Sequence, residues 1–230
     1  HIARVACGYA GQLDGLPAYR PTPKEALALI NGIGMTTALG AVAVVRIRRL
    51  MDTAMLATAM TMEALGSDPG CLDHRLLSAR NHPGAVTVAG HIRSWLKDSE
   101  QVAPGQAVDA FSIRCAPAVL GSVLEVLDAA QLSIEREING AGDNPLLIDG
   151  EWVEGGNFHG APVAQHLDAL KIAIAQMATI SERRTFRLTH GQLSRGLPSF
   201  LVPGTGLNSG FMLAQYTAAS LASESKGLAH

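Results

Sequence analysis

Long apolar stretches, separated by short polar breaks rich in glycine or proline, set the pattern of this chain. Residues 35–65 carry charge only at Arg46, Arg48, Arg49, Asp52 and Glu63 and predict one long helix closing at Gly66. So little charge on so long a helix requires neighbouring helices to cover most of its surface. Three more long helices follow. One runs from Pro117 to Ile138 and ends at Asn139-Gly140; one covers 161–189, with Pro162 at its first position; the last covers 209–229, capped by Asn208 or Ser209. A short helix over 26–30 starts from Thr22-Pro23-Lys24-Glu25, a capping box with proline at the first helical position, and stops at Asn31-Gly32. Further short helices are expected within 68–83 and over 84–97, and loops over 8–20, 98–109 and 193–208. Only 146–148 and 152–153 read as strands, a hairpin turning at Asp149-Gly150.

These elements predict an all-α (mainly α) fold, an elongated multi-helix bundle with one short β-hairpin. Helices this long and apolar call for an oligomer in which several copies share one core. The chain is 47% hydrophobic but 4% aromatic, so the core must be built from Ala, Leu, Val, Ile and Met. A net charge of −2 gives no reason to expect a nucleic-acid partner or an acidic membrane surface. The most apolar run, 35–45, is too short to span a bilayer and leads into Arg46, Arg48 and Arg49. Cys7, Cys71 and Cys115 lack metal-ligand spacing and read as reduced thiols of a cytoplasmic protein. The apolar run at 1–7 has no N-cap before it, and the helical pattern at 222–230 has no C-cap after it. Residues 1–230 therefore read as the central helical-bundle portion of a longer chain.

Candidate chemistry lies in the breaks. Arg114 precedes a helix start in an apolar loop with Phe111, Ile113 and Cys115. Its guanidinium needs an anion, either a substrate carboxylate held by a two-pronged pair or a structural Asp or Glu. Asn31 and Asn144 sit at boundaries, where capping or turn formation competes with a site role. Phe158, among Gly155, Gly156 and Gly160, is either a site residue or the plug of a tight loop. Asn157 and His159 flank it; His159 could act as acid or base, or bond only to backbone. There is no serine elbow, phosphate loop or HExxH-type metal motif.

Five segments taken together resemble the aromatic amino-acid ammonia-lyases (the histidine, phenylalanine and tyrosine enzymes and the related aminomutases), on the histidine-lyase-like side. They are Lys24-Glu25-Ala26-Leu27-Ala28-Leu29-Ile30-Asn31-Gly32; Phe111-Ser112-Ile113-Arg114-Cys115-Ala116-Pro117; Glu137-Ile138-Asn139 with Asp143-Asn144-Pro145; the 155–160 loop; and Gly206-Leu207-Asn208-Ser209-Gly210-Phe211-Met212. The resemblance implies a carbon–nitrogen lyase that removes ammonia from an aromatic L-amino acid to give an α,β-unsaturated acid. A 2,3-aminomutase or a non-catalytic paralogue serving assembly are the alternatives. It implies a homotetramer completed by the remaining polypeptide, and a methylidene-imidazolone prosthetic group formed from an Ala-Ser-Gly that does not occur in this sequence. By the same resemblance Asn31 lies beside that ring and Phe158 packs near it, while Arg114 binds the substrate carboxylate and Asn144 gives a second contact to it. Val108 and Phe111 stand where the family carries Gln and Tyr, which removes an amide and a hydroxyl from the substrate-binding positions.

Overall fold

The computed structural model describes residues 20–105 and 108–229. Cys7, the run at 1–7 and nearly all of the loop expected at 8–20 lie outside them. The helices are α1 (Pro23–Asn31), α2 (Gly34–Ala64), α3 (His74–Ser78), α4 (Pro83–Leu96), α5 (Phe111–Arg114), α6 (Ala116–Ile138), α7 (Ala161–Thr189) and α8 (Met212–Leu228). Leu146–Ile148 (β1) and Glu151–Val153 (β2) form the antiparallel hairpin, with Leu147 opposite Trp152. Asp149 and Gly150 both take positive φ, 51° and 87°, as a tight two-residue turn demands. The all-α class and the hairpin are thus as expected.

Most boundaries follow local chemistry. Glu25 Oε2 accepts from the Thr22 amide at 2.7 Å and starts α1 as the sequence predicts. Gly66 at φ 56° reverses α2, and the Ser67 amide returns to the Met62 carbonyl at 2.9 Å. Three expectations need correction. The Phe111–Arg114 loop is a helical turn, broken from α6 only at Cys115. The helix expected within 68–83 divides into a 3₁₀ turn, Pro69–Leu72, and α3. The last helix begins at Met212 rather than 209. Asn208 donates to the Pro203 carbonyl at 2.9 Å instead of capping, and the Phe211 amide is held by the Phe200 carbonyl at 2.9 Å.

The chain divides into two compact units, His1–Val45 with Ala129–Leu167, and Arg46–Asp128 with Asp168–His230. In the first, α1 buries no residue and is tied by an ion pair from Lys24 Nζ to Asp143 Oδ2 at 2.6 Å. A Cβ on Gly40 of α2 would lie 3.0 Å from Ile134 of α6 and 3.3 Å from Leu167 of α7, so three helices close together there. In the second unit, Met51, Met55, Thr58 and Met62 of α2, and Leu65 just after it, form one buried row spaced three or four residues apart. Leu120, Val123 and Leu127 of α6, Leu170, Met177 and Ile180 of α7, and Val88 and Ile92 of α4 supply the rest of its core. Within this chain the expected covering of α2 is only partial: Met35, Leu39, Val42 and Met60 are all at least half exposed. Helix α6 is long and apolar enough to cross a membrane by length and composition, but its row from Leu120 to Ile134 is buried in protein.

The tightest helix contact joins α4 to α6. A Cβ on Gly121 would fall 2.5 Å from the Ala85 Cα, and one on Gly84 would fall 2.9 Å from the Gly121 carbonyl carbon. Both neighbours are backbone and cannot turn aside. Gly121→Ala should gain about 1 kcal/mol in helix propensity and lose more, at least about 1–3 kcal/mol, to overpacking. The expected result is a lower midpoint in thermal or urea unfolding of the full-length protein; a raised midpoint would show that the helices separate at little cost.

Candidate active site

In the second unit, an ion pair between buried Asp109 and partly exposed Arg195 positions the segment that carries Val108, Phe111 and Arg114. Asp109 Oδ1 pairs with Arg195 Nη2 at 3.0 Å, and Asp109 also accepts from the Asp68 amide at 3.2 Å. Arg195 Nη1 donates in turn to the carbonyls of Leu65 (3.1 Å) and Gly66 (2.7 Å), at the end of α2. Ile113 is fully buried and anchors α5. One turn of helix with Ile113 inward sets Phe111 and Arg114 outward, and Phe111 and Val108 are 69% and 77% exposed. The Arg114 guanidinium lies 4.6 Å from the Phe111 ring centroid, a cation–π contact that restrains its tilt.

No carboxylate pairs with Arg114 among the described residues. Of the two anions its guanidinium could take, the structural one is not found. Arg114 lines a cavity of about 620 Å³ with Leu76, Leu77, Arg80, His82 and Glu125. Glu125 is fixed by the Gly84 amide at 2.9 Å, and His82 Nδ1 lies 3.9 Å from its carboxylate. Sequence reasoning missed Arg80, His82 and Glu125. Arg80 and His82 come from the turn between α3 and α4 and Glu125 from α6, and the Gly84–Gly121 approach brings the start of α4 against α6. Phe111 touches Arg114 but lines a different cavity, with Cys115 on the wall of both. Cys71 and Cys115 are free thiols, and burial together with nearby Asp109 pushes Cys71 up to about 11.

The remaining candidates are in the first unit. Asn31 is the last residue of α1, exposed and without a side-chain hydrogen bond among the described residues. Asn144 Oδ1 accepts from the Gly155 amide at 2.6 Å, closing the base of the hairpin. Its turn role is therefore real, and its NH₂ group stays available. Phe158 is 38% exposed and is not a buried plug. His159 Nδ1 accepts from the Ala161 amide at 3.2 Å, and Asn157 reaches the Ala141 carbonyl at 3.5 Å, so both bond to backbone. Asp143, beside Asn144, is held below the usual carboxylate range by hydrogen bonds from Lys24 and from the Asn144 amide.

The profile of the family described as aromatic amino acid lyase matches residues 3–230. The chain is 48% identical over 223 residues to a histidine ammonia-lyase of Gloeobacter violaceus, a match covering 94% of this chain and 43% of that protein. Among solved structures, histidine ammonia-lyase from Trypanosoma cruzi superposes with a TM-score of 0.85 at 44% identity, over 94% of this chain and 41% of the other. A phenylalanine aminomutase from Pantoea agglomerans gives 0.91 at 29% identity, over 100% and 52%. The chain spans about half the length of these relatives, or somewhat less.

Two outcomes are expected from this geometry. Asp109→Ala removes the carboxylate from Arg195, whose side chain still reaches solvent and the Leu65 and Gly66 carbonyls, and should cost about 1–3 kcal/mol, read as a lowered unfolding midpoint; an unchanged midpoint would remove the pair from its anchoring role. The Lys24–Asp143 pair exists only while the carboxylate is charged. Its contribution is complete above the ordinary carboxylate pKa of about 4 and is lost as pH falls through the lower folded value. Lys24→Met should bring the Asp143 titration, followed by NMR, up towards the ordinary value, and an unmoved titration would assign the depression to the backbone amide alone.

Proposed function

This chain belongs to the aromatic amino acid lyase family, and from that premise we propose that it is the central part of an ammonia-lyase. The reaction is elimination of ammonia from an aromatic L-amino acid, histidine first and tyrosine or phenylalanine next, to give the α,β-unsaturated acid. The observation that carries the reading is Arg114, an arginine with no carboxylate partner among the described residues, on the wall of a cavity of about 620 Å³. A planar guanidinium restrained by an aromatic ring suits a substrate carboxylate bound through two parallel hydrogen bonds. Asn144 has committed its oxygen to Gly155, and its NH₂ is left for a second carboxylate contact of the kind the family resemblance implies. Fixing the carboxylate orients the Cα–N bond to be broken, an entropic contribution to rate.

The methylidene-imidazolone of the family supplies, when present, an electrophile that makes the substrate amine a leaving group. These 230 residues contain no Ala-Ser-Gly and cannot form it. They fit its surroundings: Asn31 offers an exposed amide with no competing partner among the described residues, and Phe158 offers a partly exposed ring face. Val108 and Phe111 bring no proton-bearing group, so proton transfer at those positions is left to water or to other parts of the protein. We place the working protein in the cytoplasm as a homotetramer, a reading supported by the free thiols and by the uncovered apolar positions of α2.

The test uses the full-length protein with histidine, phenylalanine and tyrosine, following acrylate absorbance. An acrylate product supports the lyase; a β-amino acid product makes the protein an aminomutase; no product from any of the three sinks both. Arg114→Ala should cost about 2–5 kcal/mol in kcat/KM. Arg114→Lys should recover only part of that, because an ammonium lacks the planar fork. Unchanged kinetics in Arg114→Ala would take the residue out of the site. Phe111→Tyr restores a hydroxyl and should raise turnover by up to roughly 10²-fold, most with Val108→Gln added. Loss of both activity and stability in these variants would mark Phe111 as adapted to another substrate.

A further inference from the structure

Two Asn-Gly pairs occur in the sequence, Asn31-Gly32 at the end of α1 and Asn139-Gly140 just after α6. A glycine has no Cβ to shield its backbone nitrogen, so that nitrogen can attack the side-chain amide of a preceding asparagine when neither group is held elsewhere. The two pairs differ in this respect. Asn139 Nδ2 donates to the Glu135 carbonyl at 2.7 Å, and the Gly140 amide donates to the Glu137 carbonyl at 3.2 Å. Both reacting groups are engaged there. The Asn31 side chain and the Gly32 amide have no such bonds among the described residues.

The backbone at Asn31 is also poorly secured. Helix α1 buries no residue, and Ile30 beside Asn31 is 70% exposed. The last turn carries no basic residue, and Gly32 leaves it extended, at φ −94° and ψ 174°, rather than in the left-handed form that ties off a helix end. Only the other end of α1 is held, by the Glu25 cap and the Lys24–Asp143 pair. A helix end with neither burial nor a cap opens locally, and opening releases Asn31 from the helical conformation that hinders ring closure.

We propose that Asn31 is a site of self-modification, deamidated by attack of the Gly32 nitrogen. That nitrogen bonds to Asn31 Cγ, the Cγ–Nδ2 bond breaks, and Nδ2 leaves as ammonia with the Gly32 amide proton. The resulting five-membered succinimide takes up one water. Opening at Cγ gives aspartate; opening at the main-chain carbonyl gives isoaspartate, which adds one carbon to the backbone between α1 and α2. No oxidant or reductant is needed. Either product puts a carboxylate where a neutral amide stood. The modification rests on the geometry of α1; its effect on turnover rests on the reading that sets Asn31 beside the prosthetic ring, where a negative charge and a shifted backbone would switch the site off.

The test incubates the full-length protein in mildly alkaline buffer, digests it, and follows the Asn31 and Asn139 peptides by mass spectrometry for amide-to-acid conversion. Asn31 is expected to convert several times faster than Asn139, with isoaspartate as the larger product. Lys24→Met releases the held end of α1 and should speed Asn31 by up to about fivefold, the upper end for a surface ion pair, with Asn139 unmoved. Gly32→Ala shields the nitrogen and should slow Asn31 several-fold; its added Cβ would lie 3.2 Å from the Gly142 carbonyl oxygen, and the Lys24→Met and wild-type comparisons stand even if that variant fails to fold. An intact Asn31, equal rates at the two asparagines, or a rate indifferent to both variants overturns the proposal. A protein that makes acrylate while Asn31 stays intact removes this site and leaves the lyase; conversion of Asn31 in a protein that makes no acrylate does the reverse.

Discussion

The Asp109–Arg195 pair is the contact on which the candidate site depends. Arg195 comes from the loop after α7 and joins the carbonyl end of α2 to the segment that leads into α5. A cation at a helix C-terminus answers both the unpaired carbonyls and the negative end of the helix dipole. The buried carboxylate keeps the guanidinium from being an uncompensated charge. Each group would be a liability alone; together they fix where α5 starts. Ile113 can then be buried, and Phe111 and Arg114 are turned outward.

None of this was legible from spacing. Asp109 and Arg195 are far apart in sequence, in two loops with nothing local to link them. Arg195 also takes a positive φ of 55°, which no propensity rule assigns to arginine. What could be read was local: the capping box at Thr22 and Glu25, the turn at Asp149 and Gly150, and the 161–189 helix with its proline near the start. The last helix was read too early because Asn208 looks like a cap, while its amide is used across the loop by Pro203. Local signals fail where a distant backbone group competes for the same side chain.

The candidate residues divide in the same way. Arg114 stands out as a cation in an apolar setting, and among the described residues no carboxylate pairs with it. For Asn144 the turn role is the one observed: it closes the hairpin base through its oxygen. Arg80, His82 and Glu125 gave no signal, because each is an ordinary polar residue, two in one turn and one on α6, and gains interest only beside Arg114.

The Gly84–Gly121 contact has a consequence for divergence. Helices α4 and α6 meet there with backbone against backbone at Gly84, Ala85 and Gly121, so a larger residue at either glycine would push them apart. The residues that line the Arg114 cavity from α3 and α6, among them Leu76, Leu77, Ala118 and Ser122, can be exchanged without moving the frame that holds them. A descendant of this chain could therefore change which side chain it accepts by a few replacements on those walls, while the two glycines stay locked in place. The cavity's width would be inherited and its lining would be free to drift.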